Sequence, residues 1–122
     1  MKKLFYTFIA SLVISGCSNA DVANFKGRTF VLEGKEISIT FDAAENKFYG
    51  KAVNNYFGVY SIDKNNIKME LQGSTMMMGP SDKMVAETKY FNDLNGVTSY
   101  TLQGDVLTLK SNGVDLRYLE NK

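Results

Sequence analysis

The sequence predicts a mainly β fold with one helix (α+β), in which about eight antiparallel strands form a curled sheet or a cracked β-barrel packed against the helix. Three observations support this prediction. Apolar residues recur at every second position in short runs, and turn residues interrupt these runs at intervals of roughly ten. One later stretch instead repeats its apolar residues at helical spacing. With 122 residues, the chain can form one small domain but not two.

The first five strands are predicted from period-two alternation. The clearest is the second, where Ile37, Ile39 and Phe41 alternate with polar residues. Such alternation is typical of a strand with one buried face. Polar turns separate the strands, as at 63–66, where Asp-Lys-Asn-Asn favours a chain reversal. The predicted strands are 28–32, 37–41, 48–53, 56–62 and 67–71.

The single helix is predicted after a Gly-Pro-Ser step at 79–81, because proline cannot pair within a strand. Ser81 is placed to accept a hydrogen bond from the first free amides of the helix. The helix is about thirteen residues long and ends at an Asn-Gly step. Its predicted inward stripe consists of Met84, Thr88, Phe91 and Leu94. The last three strands are predicted at 98–102, 106–110 and 115–119, with a tight Asn-Gly turn in the final hairpin.

The first residues have the pattern of an export signal. Lys2 and Lys3 precede an apolar run over 4–14, which is well short of the ~20 residues that a membrane-spanning helix needs. The run ends in Ile-Ser-Gly-Cys, which resembles the lipobox of bacterial lipoproteins. We therefore predict a lipoprotein signal peptide at 1–16 and a lipidated Cys17 followed by a tether, together 17–26.

Cys17 is the only cysteine, so it cannot form a disulfide within the chain. Lipidation accounts for an unpaired cysteine in an exported protein, and acyl chains would anchor the domain to a membrane. Ser18 follows in place of Asp, which resembles the outer-membrane sorting signal of two-membrane bacteria. The predicted location is the cell envelope, lipid-anchored at the outer membrane and facing the periplasm.

The charge and the residue types present restrict the function. The formal net charge is +1, from 14 Lys and Arg against 13 Asp and Glu, which excludes the strongly basic surface of a nucleic-acid binder. Histidine is absent, and an acylated Cys17 supplies no thiolate. The sequence contains neither a phosphate-binding glycine loop nor a spacing that singles out a carboxylate pair. We expect a monomeric, non-enzymatic domain with no cofactor.

Met76, Met77 and Met78 form the most unusual run in the chain. In a strand, Met76 and Met78 would share a face, and their thioethers could hold Cu(I). Methionines also fill gaps in protein cores, and this second interpretation is favoured, with no metal site expected.

Two further sets of residues leave alternatives open. Glu87 lies beside the helix stripe and is either partly buried, with Arg28, Arg117 or a tyrosine as its partner, or solvated at the helix edge. The aromatic residues either line a binding cavity or fill the core of the β domain, as is usual. They are Tyr49, Tyr56, Phe57, Tyr60, Tyr90, Tyr100 and Tyr118.

The body of the chain, residues 27–120, contains an ordered set of motifs: a Gly, an Asn-x-aromatic-x-Gly step, a Ser/Thr-x-Met stretch and a Glu-x-x-x-Phe-x-x-Leu segment, followed by two hairpin-joined strands. The matching positions are Gly50, Asn54, Tyr56, Gly58, Tyr60, Ser74, Thr75, Met76, Glu87, Phe91 and Leu94. This pattern resembles the META domain of HslJ-like heat-inducible lipoproteins. Val53 and Gly79 stand where family members often carry cysteines, which removes any redox role.

The resemblance implies structural rather than catalytic positions. Asn54 is expected in a turn, bonded to its own backbone, and Gly58 is expected to let a neighbouring strand approach closely. It also implies an envelope lipoprotein of stress response or antibiotic tolerance that binds another envelope component, with no established reaction. The alternative is a small carrier of lipid or another hydrophobic ligand, or a chaperone similar to the pilot lipoproteins of secretion systems.

Overall fold

The computed structural model describes residues 25–121 of the protein. The predicted signal peptide 1–16, the predicted lipidation site Cys17 and most of the predicted tether therefore lie outside the described residues. Within 25–121, the chain contains no helix with the length and apolar character needed to cross a membrane.

Eight antiparallel strands and one helix follow one another along the chain. They are β1 (Thr29–Leu32), β2 (Ser38–Phe41), β3 (Lys47–Lys51), β4 (Asn55–Asp63), β5 (Asn66–Ser74), α1 (Ser81–Asn95), β6 (Val97–Gln103), β7 (Val106–Ser111) and β8 (Val114–Glu120). Each strand pairs with the next, and β8 pairs with β1 to close the barrel. The predicted fold class is confirmed. Closure pairs every strand on both sides except along most of the β5–β6 junction, and so limits the exposed sheet edge at which small β domains can aggregate.

The barrel is least continuous between β5 and β6. This pair is in register only at Asn66 and Ser99, whereas the neighbouring pair β4 and β5 stays paired along most of its length. The helix connects β5 to β6 at this point. Asn95 at the end of α1 uses its side-chain oxygen to accept a hydrogen bond from the Leu71 N–H at 3.0 Å. A helix residue thus satisfies a strand amide where the two strands diverge.

The barrel interior is filled by side chains, mostly aromatic. Eight-stranded barrels are narrow enough for side chains to fill them. The rings of Phe25 and Phe41 lie 4.4 Å apart between centroids, and Phe41 meets Tyr60 edge-on at 5.5 Å. The buried residues of this core include Phe30, Phe48, Tyr56, Tyr100, Leu107, Leu109 and Tyr118.

The prediction that the aromatic residues fill the core is confirmed for Tyr56, Tyr60, Tyr90, Tyr100 and Tyr118. It is wrong for Tyr49 and Phe57, which are 47% and 53% exposed. These two are register partners on β3 and β4, so their side chains lie together on the outer face of the barrel.

The packed domain begins earlier than predicted. Phe25, assigned to the tether, is fully buried and its ring lies 5.5 Å from that of Tyr100. Lys26 donates a hydrogen bond to Asn46 at 2.9 Å, and the Gly27 N–H donates one to the Phe41 carbonyl. The assignment of Phe25 and Lys26 to the tether was therefore wrong, because Phe25 closes the end of the barrel at which β2 ends.

The helix differs from its prediction at its start and in its buried face. It has 15 residues, Pro80 is its N-cap, and Ser81 makes no capping hydrogen bond. The buried residues are Glu87, Tyr90 and Leu94. Thr88, predicted inward, is exposed and donates to the Met84 carbonyl. The helix is rotated from the predicted stripe because the polar Glu87 and Tyr90 have partners inside the domain.

Three tyrosine hydroxyls attach the helix to the barrel. The Tyr90 hydroxyl lies 2.8 Å from that of Tyr56 and 2.9 Å from that of Tyr118. Tyr56 in turn donates to the Ser38 carbonyl at 2.5 Å. We call this chain of hydroxyls the tyrosine ladder. It links α1 to β2, β4 and β8, and burial raises the pKa of Tyr56, Tyr90 and Tyr118.

Replacing Gly58 by alanine should destabilise the barrel. A Cβ at Gly58 would overlap the Glu70 carbonyl and lie 2.5 Å from the Phe48 ring, so the core would have to shift. We expect a loss of about 1–3 kcal/mol in the free energy of unfolding, measured in urea. Gly73→Ala is the matched control, since its Cβ would meet only the exposed ring of Phe57. Equal losses in both variants would contradict this account.

The tyrosine ladder should make the protein unfold in alkali. A buried tyrosine with a raised pKa keeps its proton in the folded state, so its contribution to stability is constant below about pH 10 and falls at higher pH. Burial also raises the pKa of Tyr60 to about 12. The free energy of unfolding, measured in urea at several pH values, should decline above about pH 10. Tyr90→Phe should make this decline with pH less steep. A flat profile would refute the prediction.

Candidate functional site

Three of the predicted motif positions meet at the end of the barrel next to the helix. Asn54 lies between β3 and β4, Glu87 lies on α1, and residues 75–80 connect β5 to α1. We call residues 75–80 the methionine loop. The site is built from the contacts among these three segments.

Asn54 binds Glu87 through two hydrogen bonds. Its backbone N–H donates to Glu87 Oε2 at 2.6 Å, and its side-chain Nδ2 donates to Glu87 Oε1 at 2.9 Å. Both residues are buried, with exposures of 3% for Asn54 and 5% for Glu87. Both carboxyl oxygens of a buried glutamate are thus satisfied by one residue, as burial of a polar group requires.

This pair settles the alternatives for Glu87. The side chain is buried rather than solvated, and its partner is Asn54 rather than an arginine or a tyrosine. Arg28 instead binds Glu120 at 2.8 Å, and Arg117 binds Glu33 at 2.6 Å. Those pairs lie on the barrel surface, away from the inner face of the helix.

The other side of the Asn54 amide holds the methionine loop. Its Oδ1 accepts hydrogen bonds from the Met77 N–H at 2.5 Å and from the Thr75 hydroxyl at 2.9 Å, and its Nδ2 also donates to the Met77 carbonyl at 3.3 Å. The amide therefore uses both of its donors and both of its acceptor positions. Asn54 lies in the turn between β3 and β4, as predicted. The predicted bonds to its own backbone are wrong, because its side chain connects two other segments.

Thr75 fixes the start of the loop against β4. Its N–H donates to the Asn55 carbonyl at 2.9 Å, and its hydroxyl accepts from the Asn55 N–H at 3.1 Å. Ser74, the last residue of β5, is in register with Tyr56. The pairing of β4 and β5 thus extends into the loop as far as Thr75. Beyond it, the loop backbone bonds to the side chain of Asn54 instead.

The methionines of this loop point to solvent. Met76 is 93% exposed, Met78 is 88% exposed and Met77 is 47% exposed. The favoured interpretation that they fill the core is therefore wrong. Asn54 holds the backbone of Met77 at the barrel, so the neighbouring side chains are directed outward. Of the strand methionines, Met69 on β5 is the one buried in the core.

The remaining motif positions shape the barrel. The predicted close approach at Gly58 is confirmed, and a Cβ at Gly50 would likewise overlap the Ser38 carbonyl and lie 2.7 Å from the Tyr56 hydroxyl. The half-buried ring of Phe91 lies 5.3 Å from that of Tyr56 in a tilted arrangement, and Leu94 is fully buried. These residues position the helix against the barrel.

An apolar groove of about 780 Å³ runs beside the site, between α1 and the turn that joins β1 to β2. Pro80 and Val53 connect it to the methionine loop, and Glu87 lies at its floor. A salt bridge of 3.5 Å between Lys83 and Glu36 links its two walls. The apolar residues that line it are Val31, Leu32, Ile37, Ala52, Val53, Pro80, Ala86 and Leu119.

The site combines one buried carboxyl group with exposed apolar side chains. Each oxygen of the Glu87 carboxyl group accepts one hydrogen bond from Asn54. Over residues 25–121, no three His, Cys, Asp or Glu side chains are grouped as metal ligands. The site presents to solvent the thioethers of the loop and a groove whose walls are mainly apolar, with charged residues such as Lys35 and Asp82 among its lining.

The META domain family model matches residues 19–122, most of the chain. The chain belongs to the META domain family. The match confirms the predicted HslJ-like resemblance, and it places the Asn54 and Glu87 pair inside a META domain. No curated protein matches the sequence.

Solved structures share the fold of this META domain. An NMR structure of a protein from Burkholderia xenovorans matches with a TM-score of 0.67 and 16% identity over 88% of each chain. A second NMR structure matches with a TM-score of 0.63 and 17% identity, over 79% of this chain and 91% of the other. A crystal structure of a DUF4847 family protein from Bacteroides vulgatus has a TM-score of 0.55 and 21% identity, over 70% of this chain and 60% of the other.

Asn54 and Glu87 belong to two motifs that the sequence shows in order, but the sequence did not indicate that they pair, nor that the groove exists. The pairing had one sequence signal, a polar helix residue beside the apolar stripe together with an asparagine in an earlier motif. The groove had none, because its walls come from β1, the β1–β2 turn, the β3–β4 connection, α1 and β8.

Asn54→Ala and Glu87→Ala should each lower the free energy of unfolding by about 1–3 kcal/mol, because each leaves buried polar groups without partners. The double variant should lose about 0.5–3 kcal/mol less free energy of unfolding than the sum of the two single losses, because the two residues are partners. Amide exchange at Met77 should accelerate in Asn54→Ala. Asn55→Ala is the matched control, since Asn55 is the exposed neighbour and uses only its backbone here. Additive losses would show that the pair is not coupled.

Proposed function

We propose that this META domain is a non-enzymatic envelope lipoprotein of stress response or antibiotic tolerance that binds an apolar segment of another envelope protein. The binding surface would be the methionine loop and the adjoining apolar groove. The observation that carries this proposal is the Asn54 amide, which makes three hydrogen bonds to Thr75 and Met77 and so holds a run of exposed methionines in place.

The composition of this surface suits a protein partner. Methionine side chains are flexible and polarizable, so they adapt to irregular apolar surfaces and are frequent at binding sites. Exposed apolar patches with a polar rim mark interaction surfaces on soluble domains. Here the rim includes Lys35, Lys83, Glu36 and Asp82, with both signs of charge, which favours an apolar rather than a strongly charged partner segment.

The position of the loop fits a membrane anchor. The chain enters the barrel at Phe25, beside Phe41 at the end of β2. The methionine loop follows the last residue of β5, at the opposite end of the barrel. A tether from lipidated Cys17 would therefore meet the domain at the end away from the loop. The loop would face the periplasm, where a partner can approach it.

The carrier hypothesis depends on the groove. Aromatic side chains fill the barrel, so a lipid would have to bind outside it. The groove volume of about 780 Å³ falls in the range of about 300–1,000 Å³ for small-molecule sites. A hydrophobic ligand held between α1 and the β1–β2 turn is the second candidate.

A photo-crosslinking amino acid at Met78 in the full lipoprotein, on intact membranes, should capture one discrete protein partner. The same group at Lys64, in the turn at the opposite end of β5, is the matched control and should not. Met76→Gln with Met78→Gln should lower capture by a crosslinker at Pro80 without changing thermal stability, since both side chains are exposed. Equal capture at the two ends would refute the proposed surface, and a lipid adduct would favour the carrier.

A further inference from the structure

Two exposed aromatic rings on the barrel wall lie apart from the binding surface proposed above. The described part of the chain exposes seven large apolar side chains. Four of these belong to the methionine loop or, as Leu119, to the groove, and Val85 stands alone on α1. The other two are Tyr49 and Phe57, which are register partners on β3 and β4. We propose that this pair rests on the surface of the lipid bilayer that anchors the protein.

The two rings belong to one apolar patch on the outside of the sheet. Val59 is the next outward residue of β4 after Phe57, and we call Tyr49, Phe57 and Val59 the wall patch. The end of the Phe57 ring lies over Gly73 on β5, where an added Cβ would approach it to 2.8 Å. The ring is thereby held against the sheet while it stays exposed. Tyrosine joins an apolar ring to a polar tip, and such side chains are enriched where a membrane meets water.

The predicted tether meets the domain beside the wall patch. The described chain begins at Phe25, and Lys26 donates a hydrogen bond to Asn46 at 2.9 Å. Asn46 immediately precedes β3, and Tyr49 lies three residues further on, about 10 Å along the strand. The eight residues from Cys17 to Phe25 span at most about 29 Å. A bilayer that holds the acyl chains is therefore within reach of the wall patch, and this inference rests on the lipid anchor of the proposed function.

The charges around the wall patch leave the aromatic rings as the main source of binding. Lys47 and Lys51 are exposed on either side of Tyr49 along β3. Lys47 pairs with Glu45 at 3.0 Å, so its charge is largely balanced. Lysine stems can lie along an apolar surface while their ammonium groups stay in water. We therefore expect contact with a zwitterionic bilayer, and we expect it to persist in high salt, which screens exposed charges.

The test uses tryptophan fluorescence, because the sequence contains no tryptophan of its own. The full lipoprotein carrying Phe57→Trp is reconstituted into phosphatidylcholine vesicles, with and without bromine on the lipid acyl chains. We expect the emission to shift to shorter wavelength and to be quenched by the brominated lipid. Bromine near the headgroup should quench more than bromine deep in the bilayer, because aromatic side chains rest at the interface. Tyr49→Trp should behave in the same way.

Val85→Trp is the matched control. Val85 is 70% exposed on α1, away from the wall patch, so its replacement should emit as in water and should not be quenched. All three substitutions are at exposed positions, so the fold should be unchanged, and thermal unfolding of each variant checks this. Equal quenching of the control and the two patch variants would overturn the proposal, because it would show contact without a preferred face.

The remaining outcomes separate this inference from the proposed function. If the protein floats with the vesicles but neither patch variant is quenched, the wall patch does not touch the bilayer and the lipid anchor still stands. If the protein does not float with the vesicles, the anchor fails and the bilayer contact fails with it. A shift without quenching that grows with protein concentration would assign the wall patch to a second copy of the chain. Partner capture at Met78 involves none of the substituted residues, so it tests the methionine loop independently.

Discussion

The contact between Asn54 and Glu87 decides how the helix end of the barrel is arranged. A buried carboxyl group is costly unless hydrogen bonds replace its water, and here one residue supplies both of them. The same side chain then fixes the backbone of Met77. The position of the helix and the exposure of the methionine loop are therefore consequences of one buried polar contact. Bonds in such a network strengthen one another in a medium of low dielectric constant.

The tyrosine ladder complements this contact at a second point on the helix. Tyr90 reaches Tyr56 and Tyr118 inside the barrel, while Glu87, three residues earlier, binds Asn54 at its edge. Each hydroxyl or carboxyl group has a defined partner, so the helix has one orientation that satisfies them all. Apolar packing alone tolerates small rotations of a helix, whereas buried polar groups do not.

The strands could be predicted from the sequence because alternation records which face of a strand is buried, as in β2 and β5. The buried face of the helix could not be predicted, because it includes the polar residues Glu87 and Tyr90. The stripe through Thr88 looks like the buried face unless the partners of Glu87 and Tyr90 inside the domain are known. The prediction that the methionine run fills the core was wrong for a related reason. Its exposure depends on bonds to Asn54, more than twenty residues away, which no local pattern contains. Phe25 was missed because a single aromatic residue has no periodicity.

The short pairing between β5 and β6 has a consequence for how the molecule moves. Opening fluctuations begin where the fewest interstrand bonds must break. This junction is held at one register position, by a hydrogen bond from the Tyr100 N–H to the Asn65 carbonyl and by the Asn95 contact to Leu71. The two meanders on either side, β1 to β5 and β6 to β8, are built from hairpins between consecutive strands. We therefore expect the barrel to open first along the β5–β6 junction, while the hairpins on either side of it stay paired.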